Sequence, residues 1–212
     1  MHPWVAWRRL VNESVPDGTT LHWHGVDLPN AEDGVAGVTQ DAVPVGGQHV
    51  YRFVAEHPGT YWYHSHQVSH EQVRGGLFGV LVVEPAEPIG TDHDMAAAVH
   101  TYGRVATVNG VPGQQHHVAD PGDTVRVRVV NTDNTVHQAW VTGAAYRVVA
   151  VDACDVNEPG PVDGATIQLP DEIAFVADNP GISMDHCHDL VQSASGDPRH
   201  RHGCDVGRSV LC

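Results

Sequence analysis

Histidine carries most of the chemistry this sequence offers. Three His-x-His triplets occur, His22-Trp23-His24, His64-Ser65-His66 and His186-Cys187-His188. In an extended strand residues i and i+2 project from the same side. Each triplet therefore presents two imidazoles to one volume, and two neighbouring strands of this kind would surround a small space with four. Imidazole suits copper, zinc, iron and nickel. The third triplet adds a thiol. If His186 and His188 share one face, Cys187 points to the other, where its thiolate can bind a second metal. The strand then becomes a short path for electrons, and thiolate plus imidazole is the donor set of electron-transfer copper sites. A lone His-x-His is ordinarily a solvated strand face. Two in one half of the chain and a third at the matching point of the other half argue for metal.

That matching point comes from an internal repeat. Residues 53–66 (FVAEHPGTYWYHSH) and 175–188 (FVADNPGISMDHCH) align without a gap at an offset of 122, sharing Phe, Val, Ala, Pro, Gly and both His. Upstream, Asn12 and Asn131 stand 119 residues apart and Gly25 and Gly143 stand 118 apart. Two echoes in nearly one register imply a duplicated unit. The first unit is expected over 1–88 and the second over 89–190, divided at the stretch Glu84-Pro85-Ala86-Glu87-Pro88. Residues 191–212 show no periodicity and are expected to be an unstructured tail.

The elements that must hold these histidines read as strands. Val50–Val54, Gly59–His66 and Leu77–Val83 are β-branched and aromatic runs bounded by Gly and Pro. Thr124–Val129 alternates valine with arginine, which predicts valines toward a core and Arg126 and Arg128 toward solvent. No segment has the pattern of an amphipathic helix. The expected fold class is all-β, two packed sandwiches with Greek-key connections.

Bulk properties narrow the function. With 212 residues, 41% hydrophobic and 17% charged, the chain can build a core in each of two units. A formal net charge of −15 argues against nucleic acid, which needs clustered basic residues. All eleven basic residues are Arg. The four cysteines, Cys154, Cys187, Cys204 and Cys212, fit no zinc spacing. No apolar run reaches the ~18 residues of a membrane span, and the N-terminus has no signal-peptide core.

The motifs resemble those of multicopper oxidases of the laccase type. LHWHG (21–25) and YWYHSH (61–66) are similar to the family's first two copper motifs, DGVAGVTQDAVPVGG (33–47) to the segment between them, and HCH (186–188) to the core of the last. The resemblance spans about 9–190. It implies two cupredoxin-like Greek-key β-sandwich domains, the first incomplete at its start. It implies copper as cofactor, and oxidation of phenolic or metal-ion donors with reduction of dioxygen to water. His22 resembles a type 2 ligand. His24, His64, His66, His186 and His188 resemble type 3 ligands, Cys187 the type 1 thiolate and His137 a type 1 histidine. His24, His64 and His188 would then complete one three-histidine site. Cys187, His186 and His188 would form the electron path.

The sequence also departs from that pattern. Trp140 and Thr142 stand where the family's last domain has two more histidines, and they align with His22 and His24 in the repeat. After HCH, Gln192 and Asp197 stand where a histidine and an axial methionine are expected. These departures suggest an internal deletion that fuses a middle domain to the end of the last one. They leave a second expectation, a copper-binding protein or degenerate fragment without turnover. The resemblance further implies an extracytoplasmic location, with any leader upstream of Met1, and a homo-oligomer such as two-domain relatives form.

Overall fold

The structure, a computed structural model, describes residues 4–134, 136–162, 167–168, 171–176 and 183–187. It divides into two compact units, Met1–Ile89 and Gly90–Cys212. The expected tail, 191–212, lies outside the described residues.

The first unit runs β1 (Trp4–Val11), β2 (His22–His24), β3 (Gln48–Ala55), β4 (Gly59–His64), helix α1 (Ser69–Arg74) and β5 (Phe78–Val83). β1 pairs antiparallel with β3, and β4 lies between β2 and β5 in an antiparallel sheet of three. The register of β2 on β4 sets His22 opposite His64 and His24 opposite Trp62. The other face of β2 is the core side. Trp23 is 2% exposed, and its ring lies 5.6 Å from Tyr51, 5.0 Å from Phe53 and 5.6 Å from Tyr63. Such aromatic contacts add about 0.5–1.5 kcal/mol each beyond area burial. They pin the strand so that His22 and His24 are turned away from the core.

The second unit runs β6 (His93–Tyr102), β7 (Val105–Val108), β8 (Val111–Pro112), β9 (Thr124–Asn131), β10 (Gln138–Thr142), β11 (Tyr146–Val151), β12 (Cys154–Asp155), β13 (Ile167–Gln168), β14 (Asp171–Val176) and β15 (Ser183–Cys187). Seven strands form one sheet in the order β12-β11-β14-β9-β6-β7-β8, and three form another in the order β13-β10-β15. The β6–β9 pair is parallel, while the other pairs are antiparallel. Val99, Val125, Val127, Val129, Val141 and Tyr146 make the core of this unit. The class is all-β, as the turn-bounded β-branched runs require.

One expectation is corrected. Arg126 and Arg128 do not face solvent; they are 7% and 2% exposed. β9 lies inside the seven-stranded sheet with a neighbour on each side. Alternation distinguishes its two faces, but here both are covered. Burial is met by pairing: Nε and Nη2 of Arg128 each donate to the Asp94 carboxylate at 2.6 Å. The one α-helix among the described residues, α1, has six residues, too short to leave a periodic signal.

Candidate metal centre

β2 and β4 bring the first two triplets together. One ligand nitrogen from each of His22, His24 and His64 can be chosen so that all three lie within 4.8 Å of one another. Nδ1 of His24 and Nε2 of His64 are 3.3 Å apart. The His66 ring lies 5.3 Å from His22 and 6.2 Å from His64. His64 is buried, His22 and His66 are half-buried, and His24 is exposed at the rim. Four imidazoles thus share one small volume within the first unit.

Their orientations are set by neighbours. His64 Nδ1 lies 2.9 Å from its own neighbour's carbonyl, Ser65 O, an acceptor that requires the proton on Nδ1. Nε2 is then the nitrogen left to bind a metal. His22 Nδ1 is held the same way, 2.9 Å from Asp33 O and 3.1 Å from the Asp33 carboxylate. Asp33 reaches His22 because the chain at Gly34 passes against β2. A methyl there would overlap the Leu21 carbonyl oxygen, and φ is +69°, so only glycine fits. Trp62 packs against both neighbouring rings, with centroids 4.3 Å from His64 and 5.2 Å from His24. Burial, opposed by the hydrogen bond to the Ser65 carbonyl and reinforced by the neighbouring His22, His24 and His66, brings the His64 imidazole pKa down from 6.5 to about 4. A ring that resists protonation is a competent ligand in mildly acidic solution.

The second unit places its expected residues differently. Cys187 and His186 lie on β15, with Cys187 opposite Gln138 and His186 opposite Ala139 on β10. His188, expected to join His24 and His64, lies outside the described residues; among those described, His22, His24 and His64 form the group. His137, expected as a type 1 ligand, is 1% exposed and holds the Asp133 carboxylate through Nε2 at 2.8 Å. His100 approaches the same carboxylate at 3.3 Å, and Thr101 Oγ1 donates to it at 2.7 Å. Burial alone would raise the Asp133 pKa; the hydrogen bonds from His137 and Thr101 and the charge of His100 outweigh it and bring it down to about 2. Trp140 and Thr142 lie on β10.

The triplets were visible as a period-two pattern. Asp33, Trp62 and Asp133 were not singled out from the sequence. Asp33 carries a faint signal, the Asp-Gly pair after the first triplet.

An all-β protein whose strands converge imidazoles in this way has the donor set of a transition-metal site. Comparison with known proteins makes the assignment specific. Two family profiles, both described as multicopper oxidase, match residues 7–88 and 90–196. The chain belongs to the multicopper oxidase family. It is 40% identical over 92 residues to a copper resistance protein A homolog of Pseudomonas syringae pv. tomato, covering 41% of this chain and 15% of that protein. It is 31% identical over 172 residues to laccase-1 of Botryotinia fuckeliana, covering 68% of this chain and 30% of that one. The solved multi-copper oxidase of Pseudomonas thermotolerans superposes with a TM-score of 0.77 at 30% identity, over 85% of this chain and 50% of its own. The chain thus spans between about a seventh and a half of the length of these relatives.

The family's cofactor is copper, and the first unit fits it. Its donors are imidazoles, two of them with their outer nitrogens already occupied by backbone or carboxylate oxygens.

Proposed function

We propose that this chain is a copper-dependent oxidoreductase of the laccase type. The donors would be phenolic molecules or low-valent metal ions, and the acceptor dioxygen, reduced to water. The observation that carries the reading is the convergence of His22, His24, His64 and His66 in the first unit. Bound copper would supply one-electron chemistry, four donor oxidations balancing one dioxygen and four protons to give two waters. His22, His24, His64 and His66 would hold it in the first unit, and His186, His188 and Cys187 would be the second unit's own copper ligands. Asp33 and the Ser65 carbonyl fix which nitrogen of His22 and His64 points to the metal. Burial of His64 keeps that nitrogen unprotonated. By the same reading the protein works outside the cytoplasm; among the described residues no helix is long and apolar enough to cross a membrane.

A second reading has its own support. Trp140 and Thr142 occupy the β10 positions that align with His22 and His24, and neither side chain replaces an imidazole. On this reading the chain binds copper through the first unit without turnover.

Oxygen uptake separates the two. The copper-loaded, dialysed full chain is mixed with a methoxyphenol, then with ferrous iron, in an oxygen electrode. Uptake above that of a Cys187→Ser variant supports the oxidase. Bound copper with no uptake supports the binding protein.

A further inference from the structure

Behind the His64-Ser65-His66 triplet lies a closed network of buried hydroxyl and amide groups. Ser65 is 1% exposed, Thr19 5% and Gln72 9%. Ser65 Oγ donates to Gln72 Oε1 at 2.5 Å, and accepts from Thr19 Oγ1 at 3.1 Å and from the Gln67 backbone N–H at 3.2 Å. The Gln72 amide donates in turn to Gly18 O at 2.8 Å. His66 N–H donates to Thr20 Oγ1 at 3.1 Å. These bonds tie residues 18–20 to a stretch some fifty residues away, 65–67 and the α1 helix that follows it. Each end of the network touches a ligand, His64 through the Ser65 carbonyl and His66 through its own backbone N–H.

The chain adopts an uncommon conformation to close this network. Val68, a β-branched residue, sits in the left-handed region at φ +48°, and its carbonyl accepts the N–H groups of Glu71 and Gln72 as α1 begins. The helix then returns Gln72 beneath Ser65. The surroundings must over-determine such a conformation for it to persist.

The repeat adds a second argument. Aligned without a gap, Ser65 falls on Cys187, and at the offset of the Gly25–Gly143 echo Thr19 falls on His137. The first unit therefore has hydroxyls where the second has a thiol and an imidazole.

We infer that Thr19, Ser65 and Gln72 form a positioning triad for the copper ligands His64 and His66, at the place where the second repeat carries Cys187. The inference rests on the copper-binding reading above. It assigns the triad no contact with metal or substrate. Its work is to fix the Ser65 carbonyl, and through it the Nδ1–H tautomer and ring orientation of His64. Outer partners of this kind change metal affinity by about 10–100-fold.

Two readouts on the full-length chain test it. The first is the ¹⁵N spectrum of the His64 ring in metal-free protein. The wild type is expected to show one Nδ1–H tautomer, and Ser65→Ala an exchange average of two. The second is copper(II) affinity with its EPR hyperfine splitting. Ser65→Ala and the isosteric Thr19→Val should each weaken binding by about tenfold and change the splitting, while Thr19→Ser, which keeps the hydroxyl, should restore both. If Ser65→Ala fails to fold, the Thr19 pair carries the test. A folded Thr19→Val with wild-type tautomer, affinity and splitting overturns the triad. A wild type that retains no copper overturns the copper reading instead, and the tautomer result still decides the positioning claim.

Discussion

The two halves of this chain echo one another in sequence and differ in what the echoed positions carry. In the first, His22 lies opposite His64 across β2 and β4, and four imidazoles crowd one volume. In the second, the strand that aligns with β2 carries Trp140 and Thr142, and the buried histidines His100 and His137 are turned to Asp133. The same residue type thus clusters ring against ring in one unit and pairs with a carboxylate in the other. A β-scaffold can keep its core while its chemistry diverges, because core and site occupy opposite faces of the same strand. Trp23 anchors the core side of β2 whatever His22 and His24 do on the other.

The comparison is sharpened most by His64→Ala. Removing the central imidazole should lower copper(II) affinity more than 100-fold, beyond what loss of an outer partner does, as read by competition with a chelator. Unchanged affinity would mean that the second unit holds the metal. Asp94→Ala should act on the other half. It leaves the Arg128 guanidinium without its bidentate carboxylate and destabilises the second unit by about 2 kcal/mol, reduced from the value for a fully buried pair because Asp94 is partly exposed. Denaturant titration reads that loss, and copper affinity of the first unit should stay as in the wild type. Asp33→Ala should be milder still. With the backbone carbonyl remaining as an acceptor for His22, a roughly tenfold loss of copper affinity is expected in the same competition assay.

Acid should separate the units by a smaller effect. His64 titrates near 4 in the fold and near 6.5 when unfolded. As pH falls from about 6.5 to about 4 the unfolded chain takes up a proton that the folded one does not, so the metal-free first unit loses stability over that window and no further below it. Asp133 has the opposite sign of charge. Its pKa near 2, against 3.8 unfolded, gives stability that is present above 3.8 and lost as pH falls toward 2. The first unit should therefore weaken at higher pH than the Asp133 cluster does. Trp140 is the only tryptophan beyond residue 89, so fluorescence of a Trp140→Phe variant follows the first unit alone. A stability flat between pH 6.5 and 4.5 would contradict the assigned burial of His64.

What the sequence revealed and what it hid follow from range. The triplets and the strands carrying them were legible because period two is a local signal. The repeat was legible because an offset of 118–122 recurs. The partners that orient the ligands were not. Gln72 reaches Gly18 across 54 residues and Thr19 meets Ser65 across 46, and no local pattern marks such contacts. Arg126 and Arg128 were misjudged for a related reason: alternation separates two faces but does not say whether the second is covered. The grouping of His22 with His24 and His64 depends on the antiparallel register of β2 on β4, which only the folded chain supplies.

The central claim is that the first unit is the seat of copper. The most direct measurement is copper per chain, by elemental analysis, in copper-loaded and dialysed wild type and in a His24→Ala/His64→Ala double variant. The account predicts fewer coppers per chain in the folded double variant than in the wild type. Equal copper in the two proteins would contradict it.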